Sequence, residues 1–137
     1  MNSTYWLNTI MGTMYTNNET AFYVGLSSTL PEADGTGISE PTGGNYSRVE
    51  ITAFSNPING VVKNTTSLEF PRSTAVWFPS DSKASYWVLF DGSSASANLL
   101  SSGALDEAKT IESNTTITIA AETLSVTLTD YSPTVSA

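Results

Sequence analysis

YWVLFDGSSASANLLSSGAL, residues 86–105, opens with five apolar residues in a row, breaks at Asp91-Gly92 and a spacer of small polar residues, and resumes at Leu99 and Leu100. A strand with one wet face alternates polar and apolar side chains. This run of aromatic, β-branched and aliphatic residues does not, so it reads as a strand buried on both faces, with the Gly/Ser spacer as the turn of a hairpin. The remaining segments are expected to pack against it.

Working outward, shorter strand patterns lie on both sides. Upstream, Ala21 to Leu26 places Phe22, Val24 and Leu26 on one face, and Val49 to Phe54 places Val49, Ile51 and Ala53 on one face with Glu50 and Thr52 on the other. Asn56-Pro57 and Asn59-Gly60 punctuate the chain before Val61-Val62, and Leu68 to Phe70 is ended by Pro71. Downstream, Asp106 to Ser113 is polar, and two alternating strands follow: Thr116 to Ala120 with Ile117 and Ile119 inward, and Leu124 to Thr129 with Leu124, Val126 and Leu128 inward. The last eight residues read as a tail. Short strands at this spacing predict a mainly β chain, an antiparallel β-sandwich or jelly-roll-like domain over residues 21–137.

Residues 1–20 differ. Ser3 or Thr4 can cap a short N-terminal helix whose apolar residues Leu7, Ile10, Met11 and Met14 fall at i, i+3, i+4 and i+7, with Tyr5 and Trp6 broadening that face. Gly12 costs an isolated helix about 1 kcal/mol relative to Ala, so the helix depends on docking. Two readings follow: a helix closing its own domain, or an arm seated on a neighbouring subunit. Between Ser27 and Ser47 there is no periodicity, only Pro31, Gly35, Gly37, Pro41, Gly43 and Gly44. Ordered loops of this length are often functional, and this one is expected to meet a partner.

Composition removes several classes of function. Thirteen acids against five cations give a net charge of −8, and the cations Arg48, Lys63, Arg72, Lys83 and Lys109 are scattered, which argues against nucleic-acid binding. Charged residues are 13% of the chain and Ser, Thr and Asn supply the polarity, which suits a protein packed among copies of itself. There is no Cys, hence no disulfide or thiolate site, and no apolar run approaches the ~20 residues of a membrane span. The first residues lack the charged and apolar regions of a signal peptide.

Chemistry is equally sparse. With no His or Cys, a nucleophile would need a Lys or carboxylate base, and Ser93, Ser94 and Ser96 lie in the hairpin loop without a nucleophile elbow. Glu50 and Glu69 are a formal carboxylate pair for glycoside hydrolysis, but eight Glu and five Asp make some pair unavoidable. Asp34-Gly35-Thr36-Gly37 and Asp91-Gly92-Ser93 read as turns, not as spaced calcium ligands, and no cofactor site is expected. Tyr46, Trp77 and Trp87 are candidate sugar platforms, each better explained by packing.

The order of short motifs does resemble a known group. Phe22-Tyr23-Val24-Gly25-Leu26-Ser27, Asp34-Gly35-Thr36-Gly37, Glu40-Pro41-Thr42-Gly43-Gly44-Asn45-Tyr46-Ser47-Arg48-Val49, Leu68-Glu69-Phe70-Pro71, Trp87-Val88-Leu89-Phe90-Asp91, Asn98-Leu99-Leu100 with Gly103-Ala104-Leu105, and Leu124-Ser125-Val126-Thr127-Leu128 follow one another as in small tailed-bacteriophage structural proteins labelled tail-fibre or head-fibre proteins. Asn45 departs from the small residue or Gly expected there; Asn tolerates positive φ better than most residues. The resemblance implies a non-enzymatic virion component, assembled in the cytoplasm of the bacterial host. The absence of a repeat favours a capsid decoration or cement protein bridging capsid subunits as a trimer, with a tail or tail-tip component contacting the host surface, and carbohydrate there, as the alternative. Its partners would be the major capsid protein or other virion proteins. Leu7, Ile10, Met11 and Met14 would form the arm's docking face, and Tyr46 and Arg48 would contact a neighbour from the loop.

Overall fold

A computed structural model describes residues 3–17, 21–79 and 82–128. Helix α1 (Thr4–Met11) runs into a π-helical turn (Gly12–Thr16), and among the described residues eight strands follow: β1 (Phe22–Ser27), β2 (Val49–Ile51), β3 (Val61–Lys63), β4 (Leu68–Glu69), β5 (Ala84–Phe90), β6 (Leu99–Lys109), β7 (Thr118–Ile119) and β8 (Ser125–Thr127). All strand pairs are antiparallel. The mainly β, antiparallel reading with one short N-terminal helix therefore holds. The expected C-terminal tail lies outside the described residues. No helix among those described is long and apolar enough to cross a membrane.

Two units share the chain, one formed by Thr20–Thr52 and Leu68–Ile119, the other by Met1–Glu19, Ala53–Ser67 and Ala120–Ala137. In the larger, a four-stranded sheet has the order β2-β1-β5-β6, so β5 is paired on both sides. This explains its unbroken apolar run: Trp87, Val88, Leu89 and Phe90 are all buried. Leu26 lies opposite Trp87 on one side and Gly103 opposite Trp87 on the other. Gly103 is needed there, because a Cβ would stand 2.5 Å from the indole Nε1 of Trp87.

Strand β6 runs further than its polar sequence suggested. Tyr86 pairs with Ala104 but Ala84 pairs with Lys109, so residues 105–108 bulge opposite Ser85. The bulge places Asp106 and Glu107 in solvent, which is why a polar stretch is accommodated in a strand. A small second sheet pairs Leu68 with Ile119. Beside it the fully buried Ser73 donates to the Glu112 carbonyl and accepts from the Thr115 N–H, holding the 111–115 segment against the 70–77 segment.

The smaller unit is built on a hairpin. Ile58 and Val61 exchange backbone hydrogen bonds of 3.0 Å around Asn59 (φ +52°) and Gly60 (φ +76°), the left-handed pair that a two-residue turn of type I′ requires. Beyond it β3 pairs with β8, and Phe54, where the β2 pattern was expected to end, instead bridges Asn64. Asn64 is fully buried and satisfied: its amide donates to Thr66 and Ala120 carbonyls, and its side-chain oxygen accepts from Leu124. Helix α1, capped by Ser3, lays Leu7, Met11 and then Tyr15 into this unit. Its Asn8 side chain accepts the Gly60 N–H at 2.7 Å, and Thr16 donates to the Ser55 carbonyl.

The Gly103 contact yields an expected outcome. Gly103→Ala should lower stability in chemical denaturation by about 1–3 kcal/mol, since the buried indole has no room to retreat. Ala104→Ser, at the exposed next position, should change it by less than about 0.5 kcal/mol.

Candidate functional site

The long loop is held by a half-buried polar cluster within the larger unit. Its foundation is a run of three left-handed residues, Gly43 (φ +89°), Gly44 (φ +61°) and Asn45 (φ +67°). The Gly44 carbonyl accepts from the Trp77 indole N–H at 2.7 Å and from the Thr74 N–H, while the Asn45 amide donates to the Arg72 carbonyl. Asn45 therefore keeps the turn that a Gly would have made.

The turn aims Tyr46 inward. Its ring is near-parallel to Phe70 at 6.3 Å and meets Trp77 edge-on at 5.2 Å. Its hydroxyl donates to Glu40 Oε2 at 2.5 Å and accepts the Leu26 N–H at 3.0 Å. Burial first, and the Glu40 charge second, push the Tyr46 phenol far above its ordinary value. The close approach explains Gly25 in the middle of β1: a Cβ there would lie 2.6 Å from the Tyr46 hydroxyl and 2.7 Å from Glu40 Oε2.

Arg48 completes the cluster. Its Nη2 is 2.6 Å from Glu40 Oε1, its Nη1 donates to the carbonyls of Gly92 and Ser94, and its guanidinium carbon lies 3.5 Å from the centroid of the Phe90 ring. Only 9% of the Arg48 side chain is exposed. One cation thus joins the loop, the end of β5 and the β5–β6 turn. Tyr46 and Arg48, singled out in the sequence as contacts to a neighbour, have their polar groups engaged inside the chain. Glu40 and Gly25, quoted in the sequence only as members of motifs, had no role assigned to them; the acid eight residues before an Arg within a Gly-rich loop was the available signal.

The turns weighed as calcium sites also close on themselves. Asp34 accepts from the Thr36 N–H and hydroxyl, which lowers its pKa, and Asp91 accepts from the Asn98 side chain and N–H, with the same effect.

Helix α1 offers a different surface. Of the expected docking face, Leu7 and Met11 are buried within the smaller unit, Ile10 is half-buried and Met14 is 47% exposed. The cause is the π-helical turn, in which the Asn17 N–H reaches the Gly12 carbonyl, five residues back. The wider turn carries Tyr15 to the inward place that α-helical spacing gave to Met14. Tyr5 at 79% and Trp6 at 52% exposure stand outward with Met14. The four-residue spacing Leu7-Met11-Tyr15 was the legible sign of this inversion. Exposed Trp and Tyr on a helix held rigidly from behind are the side chains that most often anchor a protein interface.

A sequence model of the family described as "Podophage GP4 fiber I protein gp80" matches residues 1–127. No curated protein matches the chain.

The polar cluster sets a pH dependence. Tyr46→Phe keeps the ring packing but leaves the Leu26 N–H without its acceptor, and should lower stability by about 1–3 kcal/mol. An unfolded chain releases phenolic protons near pH ~10, whereas folded Tyr46 holds its own to higher pH, so its contribution is full below ~10 and declines as pH rises beyond it. Denaturant midpoints between pH ~9 and ~11 should fall more steeply for the wild type than for Tyr46→Phe. Equal alkaline losses would contradict the assignment.

Proposed function

The chain belongs to the family of the podophage GP4 fiber I protein gp80, phage structural proteins of the fibre type and hence virion components; from that premise we propose that it works without catalysis, as a fibre subunit seated on a neighbouring virion protein by the outward face of helix α1. The observation that carries this reading is the exposure of Tyr5 and Trp6 on helix α1, whose Leu7 and Met11 are anchored in the fold, together with that of Met14 in the π-helical turn that follows. A helix fixed in this way presents aromatic side chains at little further entropic cost, which favours tight seating. Tyr46 and Arg48 hold the long loop in one shape. The reading includes assembly with other copies of the chain, with a trimer as the expected state.

Capsid decoration is the second reading. It is favoured by the lack, anywhere in these 137 residues, of the repeat from which fibre shafts are built. In that case the same helix face would seat on the major capsid protein, and many weak copies would reinforce the shell through multivalency.

Co-sedimentation of the purified protein with tailless capsids and, separately, with isolated tails of the same phage decides between them. Saturable binding to tails supports the fibre role, and binding to capsids alone supports decoration. The double change Tyr5→Ser, Trp6→Ser should weaken whichever binding occurs by at least about tenfold while leaving the denaturation midpoint nearly unchanged. Undiminished binding by that variant would remove the helix face as the seat.

A further inference from the structure

The hairpin tip that clasps helix α1 carries the only Asn-Gly pair in the sequence, Asn59-Gly60. Asn followed by Gly is the pair most prone to lose its side-chain amide, because a residue without a Cβ leaves its backbone nitrogen open to the preceding side chain. Asn59 is exposed to water, while Gly60 is buried. The Gly60 N–H, the nucleophile of that reaction, donates to Asn8 Oδ1 of helix α1 at 2.7 Å. Around it the turn is closed: the Gly60 carbonyl accepts the Leu128 N–H at 2.9 Å, and the place of a Gly60 Cβ lies 3.3 Å from Leu7 Cβ.

We propose that Asn59 is a deamidation site guarded by helix α1, so that conversion proceeds only in molecules whose helix has left the hairpin. In the reaction the Gly60 nitrogen attacks Asn59 Cγ. A nitrogen–carbon bond forms, the Cγ–amide bond breaks, and ammonia leaves with the proton that Gly60 gives up. One water molecule then opens the cyclic imide at either carbonyl, giving aspartate or isoaspartate, with no oxidant or reductant involved. While Asn8 holds the Gly60 N–H, the nitrogen keeps its proton and does not attack Cγ. Isoaspartate adds a methylene to the backbone, which a two-residue type I′ turn has no means to absorb. The clasp on Asn8 is then lost, so the modification locks the helix in its released state. Loss of the seat proposed above is a consequence of this chemistry, but the chemistry itself rests only on the hairpin and the helix.

Peptide mass spectrometry of the purified protein, incubated in mildly alkaline buffer, tests it by following Asn59 conversion with time. Native wild type should convert slowly and the same chain in denaturant rapidly. Asn8→Ala, which removes the acceptor, should convert roughly tenfold faster than wild type, the loss of one buried hydrogen bond's worth of protection against local opening. Asn8→Asp retains an acceptor oxygen and should stay close to wild type. Amide hydrogen exchange at Gly60 should rank the same proteins in the same order, and this readout holds even if Asn8→Ala loosens the whole unit. Equal conversion in native and denatured wild type, or a folded Asn8→Ala variant that converts at the wild-type rate, would overturn the proposal. A loss of particle binding without Asn59 conversion would bear on the seat alone.

Discussion

A guanidinium taken out of water must have its charge and its hydrogen-bond donors met by the protein, and the larger unit is arranged around doing so for Arg48. Glu40 supplies the counter-charge, Gly92 and Ser94 supply carbonyls, and Phe90 supplies a ring face. Each partner comes from a different segment, so satisfying one side chain fixes the long loop, the end of the central strand and the turn that follows it. A pair of this kind adds little stability relative to an apolar replacement, whereas removal of one partner alone costs about 3–5 kcal/mol. Its effect is to specify one loop conformation. Gly25 and the left-handed run at 43–45 are further consequences, since the cluster needs both a gap in β1 and a turn that aims Tyr46 inward.

The smaller unit solves a different problem. Eight helical residues with a Gly at their C-terminal end have little stability of their own, and α1 is held by burial of Leu7 and Met11 and by the clasp from Asn8 to Gly60. The π-helical turn then brings Tyr15 in and leaves Met14 out. A helix secured on one side becomes a platform on the other, and the side chains left on that platform are of the kind that form hot spots. Fixing the loop inside the chain and leaving aromatic residues outside on the helix both suit a particle component, which must keep its shape and hold its place.

Much of the fold was legible because burial on two faces leaves a plain mark. The run at 86–90 located the central strand, and alternation at 22–26, 49–51 and 124–128 located others. The extension of β6 through Lys109 was not legible, since a bulge removes the alternation by which a strand is recognised. The exchange of Met14 for Tyr15 on the inward face was legible only in the four-residue spacing Leu7-Met11-Tyr15, because a single π-helical turn shifts every later side chain while the sequence still fits α-helical spacing. The cluster was half visible: Tyr46 and Arg48 stood out by residue type, but their partners are set by loop geometry. Tyr46 and Arg48, expected to contact a neighbour, have their polar groups engaged within the chain, and Tyr5 and Trp6, read as broadening the helix's apolar face, stand in solvent.

On the proposed reading, the exposed side chains of α1 and its π-helical turn are covered in the particle. Hydroxyl-radical footprinting of the free protein and of the same protein assembled on virions measures this at single side chains. Oxidation of Tyr5, Trp6 and Met14 should fall on assembly, while that of Leu30, exposed on the long loop, should stay the same. Unchanged oxidation of the three helix residues together with protection of Leu30 would contradict the account and move the seat to the loop.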